Sequence, residues 1–396
     1  MTHGLRIALL THSTNPRGGV SHALSLAEAL IGRGHTAVVH APDPTGHGFF
    51  RHARCPTVSV SAASPAAGIG PMVEQRIGEY TAHFEQARHR GFDIYHAHDG
   101  MGGNALADLV DRGLIGSYVQ TVHHLNRFTD AALKARQARA VTQAAAVLCV
   151  SDLWCGEVKA AFGIDAARVS NGVDTAEFGP DPSTADAAVR ARWGLGDGPV
   201  MLSVGGCEPR KNTLRIIEAF GLFRRRYATA RLMIVGGASV LDHAEYRAQC
   251  LEALDAFGLS DGPDGPVVRT GPVPQADMPS LYRAADALVF PSLVEGFGLA
   301  VLEALACATP VVVSRIPPFT EYLDDGTVLW ADPSDPGSIA EAMARAVRPG
   351  TQADLSGRGL KLASRFGWPA SADQHLDVYR GLIGSAGHRS REACHA

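Results

Sequence analysis

Short apolar runs alternate along this chain with longer stretches whose apolar positions recur every three or four residues, which predicts strands and helices in turn. Residues 5–11 read as a strand, 21–33 as a helix and 36–40 as a strand again, and further strands are predicted at 94–97, 118–122 and 147–150. A second set follows at 200–204, 231–235, 267–269, 287–290 and 310–314, with helices such as 212–227 between its strands. Strictly alternating strand and helix patterns predict parallel sheets with helices on both faces. The texture changes at 178–197 to Pro, Asp, Ser, Gly and Ala, as in a linker carrying an interdomain helix.

The chain has 396 residues, too many for one ordinary core. The expected architecture is α/β: two doubly wound domains facing a central cleft, the first over 1–180 and the second over 190–367. A closing helix at about 368–384, after Trp368 and Pro369, is expected to pack back on the first domain, and the polar tail 385–396 is expected to be disordered. The segment 45–80 is rich in Pro and Ala and poorly patterned.

Composition narrows the class of function. With 46% hydrophobic and 19% charged residues the chain reads as a soluble globular protein, and its net charge of −4 gives no general pull toward nucleic acid or an anionic bilayer. Two basic runs stand out, Arg224 to Arg226 and the stretch from Arg127 through Lys134, Arg136 and Arg139. Both read as solvated helix faces, and a lipid-linked acceptor would give the second a purpose. The seven cysteines have no CxxC spacing and an odd total, which argues for reduced thiols in a cytoplasmic protein. The first ten residues read as a strand rather than a signal peptide, and no stretch reaches transmembrane length.

The most informative run is 287–307: a buried strand, a loop punctuated by Gly296 and Gly298, then strong helix formers from Leu299. Glycines let backbone approach a ligand closely, and the free N–H groups that open a helix favour an anionic or hydroxyl-rich one. Glu295 in the loop and Glu303 in the helix set two carboxylates at one edge, where unpaired acids point to hydroxyl binding or else to solvated helix-end charge.

Other motifs fall at strand ends, where ligands of open α/β sheets sit. Gly205 to Asn212 superficially resembles a P-loop, but Arg210 replaces a required glycine and Asn212 the metal-binding hydroxyl. What remains is Arg210 and Lys211 at a helix start, either two fixed cations for a diphosphate or plain surface charge. Gly18 and Gly19 precede the first helix and make a phosphate site or a tight turn. His96, Ala97, His98 and Asp99 have part of a metallo-hydrolase spacing without the ligands that would complete it, so no metal site is expected. His123 and His124 end a strand and point toward the cleft, where one could stabilise charge or accept a proton.

Together these pieces resemble a retaining glycosyltransferase of family 4 with the two-domain, Rossmann-like GT-B architecture. The resemblance runs from Arg17, Gly18 and Gly19 to the helix near Tyr379. Its most specific element is the E-x7-E signature from Glu295 to Glu303 around Gly296, Phe297 and Gly298. Ser170 to Asp174 with Phe178, Glu208 to Asn212, Arg269 to Val273 and Leu281 to Asp286 are also typical. The resemblance implies that Glu295 and the amides of Phe297, Gly298 and Leu299 hold the donor sugar or phosphate, that Glu303 holds the ribose, and that backbone at Val273 packs on the base. Arg210 and Lys211, with the amides of Gly18 and Gly19, match the groups that neutralise the leaving diphosphate. His123 matches the active-site histidine, and Asp99 and His124 are placed on the acceptor side together with the segment 45–80.

One departure stands out: many members carry Arg where this chain has Gly206. The implied reaction is metal-independent transfer of a hexose, with retention, from a nucleotide-diphosphate sugar used as substrate rather than cofactor. The acceptor is an unidentified sugar, lipid-linked or small-molecule hydroxyl. A nucleotide-sugar epimerase of the same architecture and a non-catalytic sugar-nucleotide sensor are the competing readings.

Overall fold

The computed structural model describes residues 4–237 and 243–393, side chains beyond 384 excepted. It divides into two compact units, one running to Gly172 and taking in the last helix from Trp368, the other spanning Val173–Gly367.

Unit 1 is built from β1 (Arg6–Leu10), α1 (Gly18–Gly32), β2 (Thr36–Asp43), β3 (Thr57–Ser61), α2 (Ile69–Glu85), β4 (Ile94–Ala97), α3 (Gly100–Asp111), β5 (Val119–Val122), α4 (Ala131–Thr142), β6 (Ala146–Cys149), α5 (Asp152–Phe162) and β7 (Ala167–Arg168). Its sheet is parallel throughout, in the order β3-β2-β1-β4-β5-β6-β7. The inner strands are nearly continuous apolar runs because helices cover both of their faces; β5 and all but the first residue of β1 are buried.

Unit 2 repeats the plan with α6 (Thr184–Arg192), β8 (Val200–Val204), α7 (Thr213–Arg224), β9 (Arg231–Val235), α8 (Ala244–Ala256), β10 (Val267–Gly271), α9 (Met278–Ala284), β11 (Ala287–Phe290), α10 (Leu299–Ala306), β12 (Val311–Ser314), β13 (Leu329–Ala331), α11 (Pro336–Ala346) and α12 (Pro349–Ala363). The order is β10-β9-β8-β11-β12-β13, again parallel. In each sheet the order reverses at the first strand, between β1 and β4 and between β8 and β11. Those switch points splay the loops apart and open a crevice at the carboxyl ends.

Three regions depart from the sequence expectation. The segment 45–80 holds the edge strand β3 and most of α2, whose Gly70, Pro71 and Gly78 hide a helix held by burial of Ile77, Tyr80 and Phe84. The helix expected between domains, α6, belongs to unit 2. A capping box at Ser183 and Asp186 starts it, and Arg283 on α9 grips Asp186 at 2.6 Å. The tail expected to be disordered from 385 continues the last helix, α13 (Trp368–Ala393), as far as Ala393, and 394–396 lie outside the described residues. No proline interrupts that stretch, and extending an existing helix avoids the cost of a new nucleus.

The packing of α13 on unit 1 carries an unusual core. Leu376 and Tyr379 join the cluster around Leu9, Leu24 and Val39, and the Tyr379 hydroxyl lies 2.7 Å from His96 Nδ1. Around that contact sit five histidines, four buried and His123 half-buried: ring centroids lie 4.3 Å apart for His96 and His98, 4.9 Å for His22 and His123, and 5.6 Å for His22 and His375. His22 is fixed by Asn171 at 2.7 Å and His96 Nε2 by Thr121 at 2.7 Å. Burial first, and neighbouring imidazoles second, push His22 and His98 well below the usual range; the same causes take His123 to about 3. Burial takes His375 to about 4.

Such histidines stay neutral when folded but take up protons when unfolded. Their contribution to stability is therefore whole above about pH 6.5 and falls, by up to about 1.4 kcal/mol per pH unit for each, as pH drops toward the folded values. Urea unfolding of the full chain is expected to show a clear loss of stability between pH 7 and pH 5, with a slope reduced by about one proton in His375→Gln. Equal stability at both pH values would refute the account.

Candidate functional site

In unit 2 the chemistry gathers at the β8 and β11 ends. The turn after β8 needs its glycines: Gly205 (φ 128°) would bring a Cβ to 2.9 Å from the Lys211 stem, and Gly206 (φ 71°) would bring one to 2.6 Å from the Gly237 carbonyl. A 3-10 turn, Pro209–Lys211, then delivers two cations, and Asn212, itself left-handed at φ 62°, opens α7. Asn212 Nδ2 donates to the carbonyls of Pro291 (3.1 Å) and Pro333 (2.7 Å), and Leu293 N donates to the Arg210 carbonyl at 2.8 Å. These bonds tie the β8 turn to the loop after β11.

The result is a buried ion pair: Lys211 Nζ lies 2.5 Å from Glu295 Oε1, with Arg210 3.3 Å from the same oxygen and 3.1 Å from Glu208. Lys211 also stands over the Phe290 ring at 4.1 Å, a cation–π contact. Burial drives Lys211 down to about 8 against the opposing pull of Glu295. Burial also works against the Glu295 carboxylate, but Lys211 and Arg210 outweigh it and hold Glu295 below the usual range.

Gly298 (φ 103°) opens α10, and no side chain caps that helix. A Cβ at Gly298 would meet the Phe319 ring at 2.6 Å. Phe297 is buried and stacked on Tyr322 at 4.7 Å, so the Gly296 to Leu299 backbone is backed by aromatics. Glu303 takes a hydrogen bond from Tyr282 at 2.7 Å, and burial pushes its carboxyl up to about 7. Val273 follows β10 half-buried, and its backbone has no partner among the described residues.

In unit 1, Gly18 and Gly19 open α1, which also lacks a side-chain cap. A Cβ at Gly19 would lie 3.5 Å from the His123 ring, whose buried Nε2 has no partner. Asp99 is the N-cap of α3, taking the amides of Met101 and Gly102 at 2.8 Å on Oδ1 while Oδ2 stays buried and unpaired; burial raises it to about 6. His124 is exposed beside Trp154. Sequence reasoning singled out His123 but missed that His22 and His375 surround it, because the chain brings them from distant segments. No cluster of His, Cys, Asp or Glu suited to a metal occurs among the described residues, nor is any described helix long and apolar enough to cross a membrane.

Within unit 2 an uncapped helix N-terminus, a cationic turn and two carboxylates at the sheet's switch point make a site suited to an anionic, hydroxyl-bearing ligand. Residues 16–177 match Glycosyltransferase Family 4 and residues 187–356 match Glycosyl transferases group 1. The chain is 32% identical over 332 residues to D-inositol 3-phosphate glycosyltransferase of Kineococcus radiotolerans, covering 75% of this chain and 74% of that one. It is also 28% identical to O-antigen chain mannosyltransferase B of Escherichia coli over 59% of this chain and 60% of the other. The fold is that of sucrose-phosphate synthase from Thermosynechococcus elongatus (TM-score 0.79, 22% identity, 96% and 99% of the two chains). Anabaena HepE in complex with UDP-glucose is similar in fold too (TM-score 0.74, 18% identity, 96% and 100% covered). The chain belongs to glycosyltransferase family 4, with the GT-B fold, and is a glycosyltransferase.

The geometry explains the glycine at 206. A side chain there would strike the Gly237 carbonyl from a left-handed backbone, so restoring Arg is expected to cost about 1–3 kcal/mol of stability. Thermal unfolding of Gly206→Arg checks this, and an unchanged melting temperature would show that the turn is free to relax.

Proposed function

We propose that this glycosyltransferase moves a hexose, with retention of configuration and without a metal, from a nucleotide-diphosphate sugar to an acceptor hydroxyl. The observation that carries the reading is the buried Lys211–Glu295 pair beside the uncapped start of α10. As the nucleotide diphosphate leaves, negative charge grows on its phosphates. Lys211, Arg210 and the α10 amides supply fixed positive potential for it. The ammonium has three donors, so Lys211 can keep Glu295 while reaching a phosphate oxygen.

Glu295, neutralised by two cations, is poorly placed to act as a nucleophile; it is assigned to the sugar hydroxyls. Without a carboxylate nucleophile, retention follows front-face attack in which the leaving phosphate accepts the acceptor's proton. Glu303, oriented by Tyr282, is assigned to the ribose, and the open backbone at Val273 to the base. Unit 1 is proposed to offer the amides of Gly18 and Gly19 and the lone Nε2 of His123 to substrate, with Asp99 and His124 on the acceptor side. That the relatives include a UDP-glucose complex supports a nucleotide-sugar donor.

Lys211→Ala and Glu295→Gln are each expected to lower transfer by about a hundredfold or more. Removing one partner of a buried pair also costs about 3–5 kcal/mol, so the double variant Lys211→Ala/Glu295→Ala should be more stable than the worse single one. Nucleotide release is measured with donor alone and then with candidate acceptors. Acceptor-dependent release supports transfer, isomerised donor means an epimerase, and inert binding means a sensor.

A second expectation concerns pH. Lys211 loses its charge as pH rises through about 8, so kcat/KM for the donor should fall tenfold per unit above that value. Lys211→Arg should move the alkaline limb upward; a limb unmoved in that variant assigns it to another group.

A further inference from the structure

We propose that unit 2 carries a second ligand site, for a phosphorylated polyol, on the far side of the segment that supports the glycine loop. A cavity of about 700 Å³ lies between the segment after β12, β13 and the end of α12. None of Arg210, Lys211, Glu295 or Glu303 lines it. Its size suits a small molecule of sugar-phosphate dimensions.

Its lining is chemically uneven. Arg358 and Lys361, one turn apart on α12, and Arg365 in the turn just after that helix line it with exposed cations, and no carboxylate pairs with any of them among the described residues. Like charges left together without partners repel, and a phosphate would relieve that cost with charge-assisted bonds. Across the cavity Arg315 lies over the Trp330 ring at 4.9 Å and pairs with Asp325, which also takes the Trp330 indole N–H at 2.6 Å. Asp324 lies alongside. Cations, carboxylates and an aromatic wall together match a ligand with a phosphate at one end and hydroxyls at the other.

The cavity walls also touch the transfer machinery. Thr320 and residues 323–327 face the cavity, while Phe319 and Tyr322 of the same segment back Gly298 and Phe297. Phe366, next to Arg365, packs on Tyr322 at 5.5 Å. A ligand here would stiffen the support of the glycine loop.

Two sources share the chemistry: a free sugar phosphate and the headgroup of a polyol phospholipid. Hydrogen exchange of the full chain is followed with glucose 6-phosphate, with phosphatidylglycerol vesicles and with phosphatidylcholine vesicles. Protection of 315–327 and 358–365 is expected with one of the first two probes, which names the source. The double variant Lys361→Glu/Arg365→Glu changes exposed residues only, and circular dichroism confirms its fold. In it the half-saturating concentration should rise about tenfold or more. No protection of these segments with either anionic probe, equal protection by phosphatidylcholine, or protection that the charge reversal leaves unchanged would overturn the proposal. Protection confined to segments near Lys211 would report donor-site binding and overturn it as well.

Discussion

The buried pair between Lys211 and Glu295 is the constraint around which unit 2 is arranged. An ammonium and a carboxylate taken out of water must find each other with good geometry, since either alone would carry a desolvation cost of several kcal/mol. That demand accounts for much of the local sequence. Gly205 clears the path for the lysine stem, the 3-10 turn aims it, Asn212 ties that turn to the Pro291 carbonyl, and Phe290 closes its far side. The ion pair is therefore both a structural tie between the β8 and β11 loops and a preset charge for the departing diphosphate.

Unit 1 solves the same architectural problem with a different interior. Where unit 2 buries opposite charges, unit 1 buries neutral imidazoles and gives three of them a partial partner: Asn171 for His22, Tyr379 and Thr121 for His96, the Ser371 carbonyl for His375; both ring nitrogens of His98 are buried without one. A cluster of this kind is held neutral by burial, and it leaves His123 with an unpaired ring nitrogen beside Gly19. An imidazole kept neutral can accept as well as donate a hydrogen bond, which suits a sugar hydroxyl better than an imidazolium would.

The two sheets also show why so many motifs lie at strand ends. Parallel strands with helices on both faces leave only the loop edges free for chemistry, and the reversal of order at β1/β4 and β8/β11 opens those edges. Asp99, read as an acceptor-side acid, spends Oδ1 on capping α3, which leaves the buried Oδ2 for any other work.

Much of this was determined locally. Inner strands of parallel sheets are continuous apolar runs, so β4, β8, β9 and β11 have the bounds their residues predict, and the glycine loop with Glu295 and Glu303 follows from composition within one stretch. The Thr57–Ser61 strand was missed because it is a short edge strand of small, mostly polar residues, and α2 was masked by its glycines and proline. What only the tertiary structure decided involves residues far apart in the chain: the Lys211–Glu295 pairing, the Tyr282 bond to Glu303, and the histidines gathered around Tyr379. A sequence fixes which side chains can ionise or donate, because that is a property of each residue. Burial and partners set their charge, and those are properties of the packed molecule.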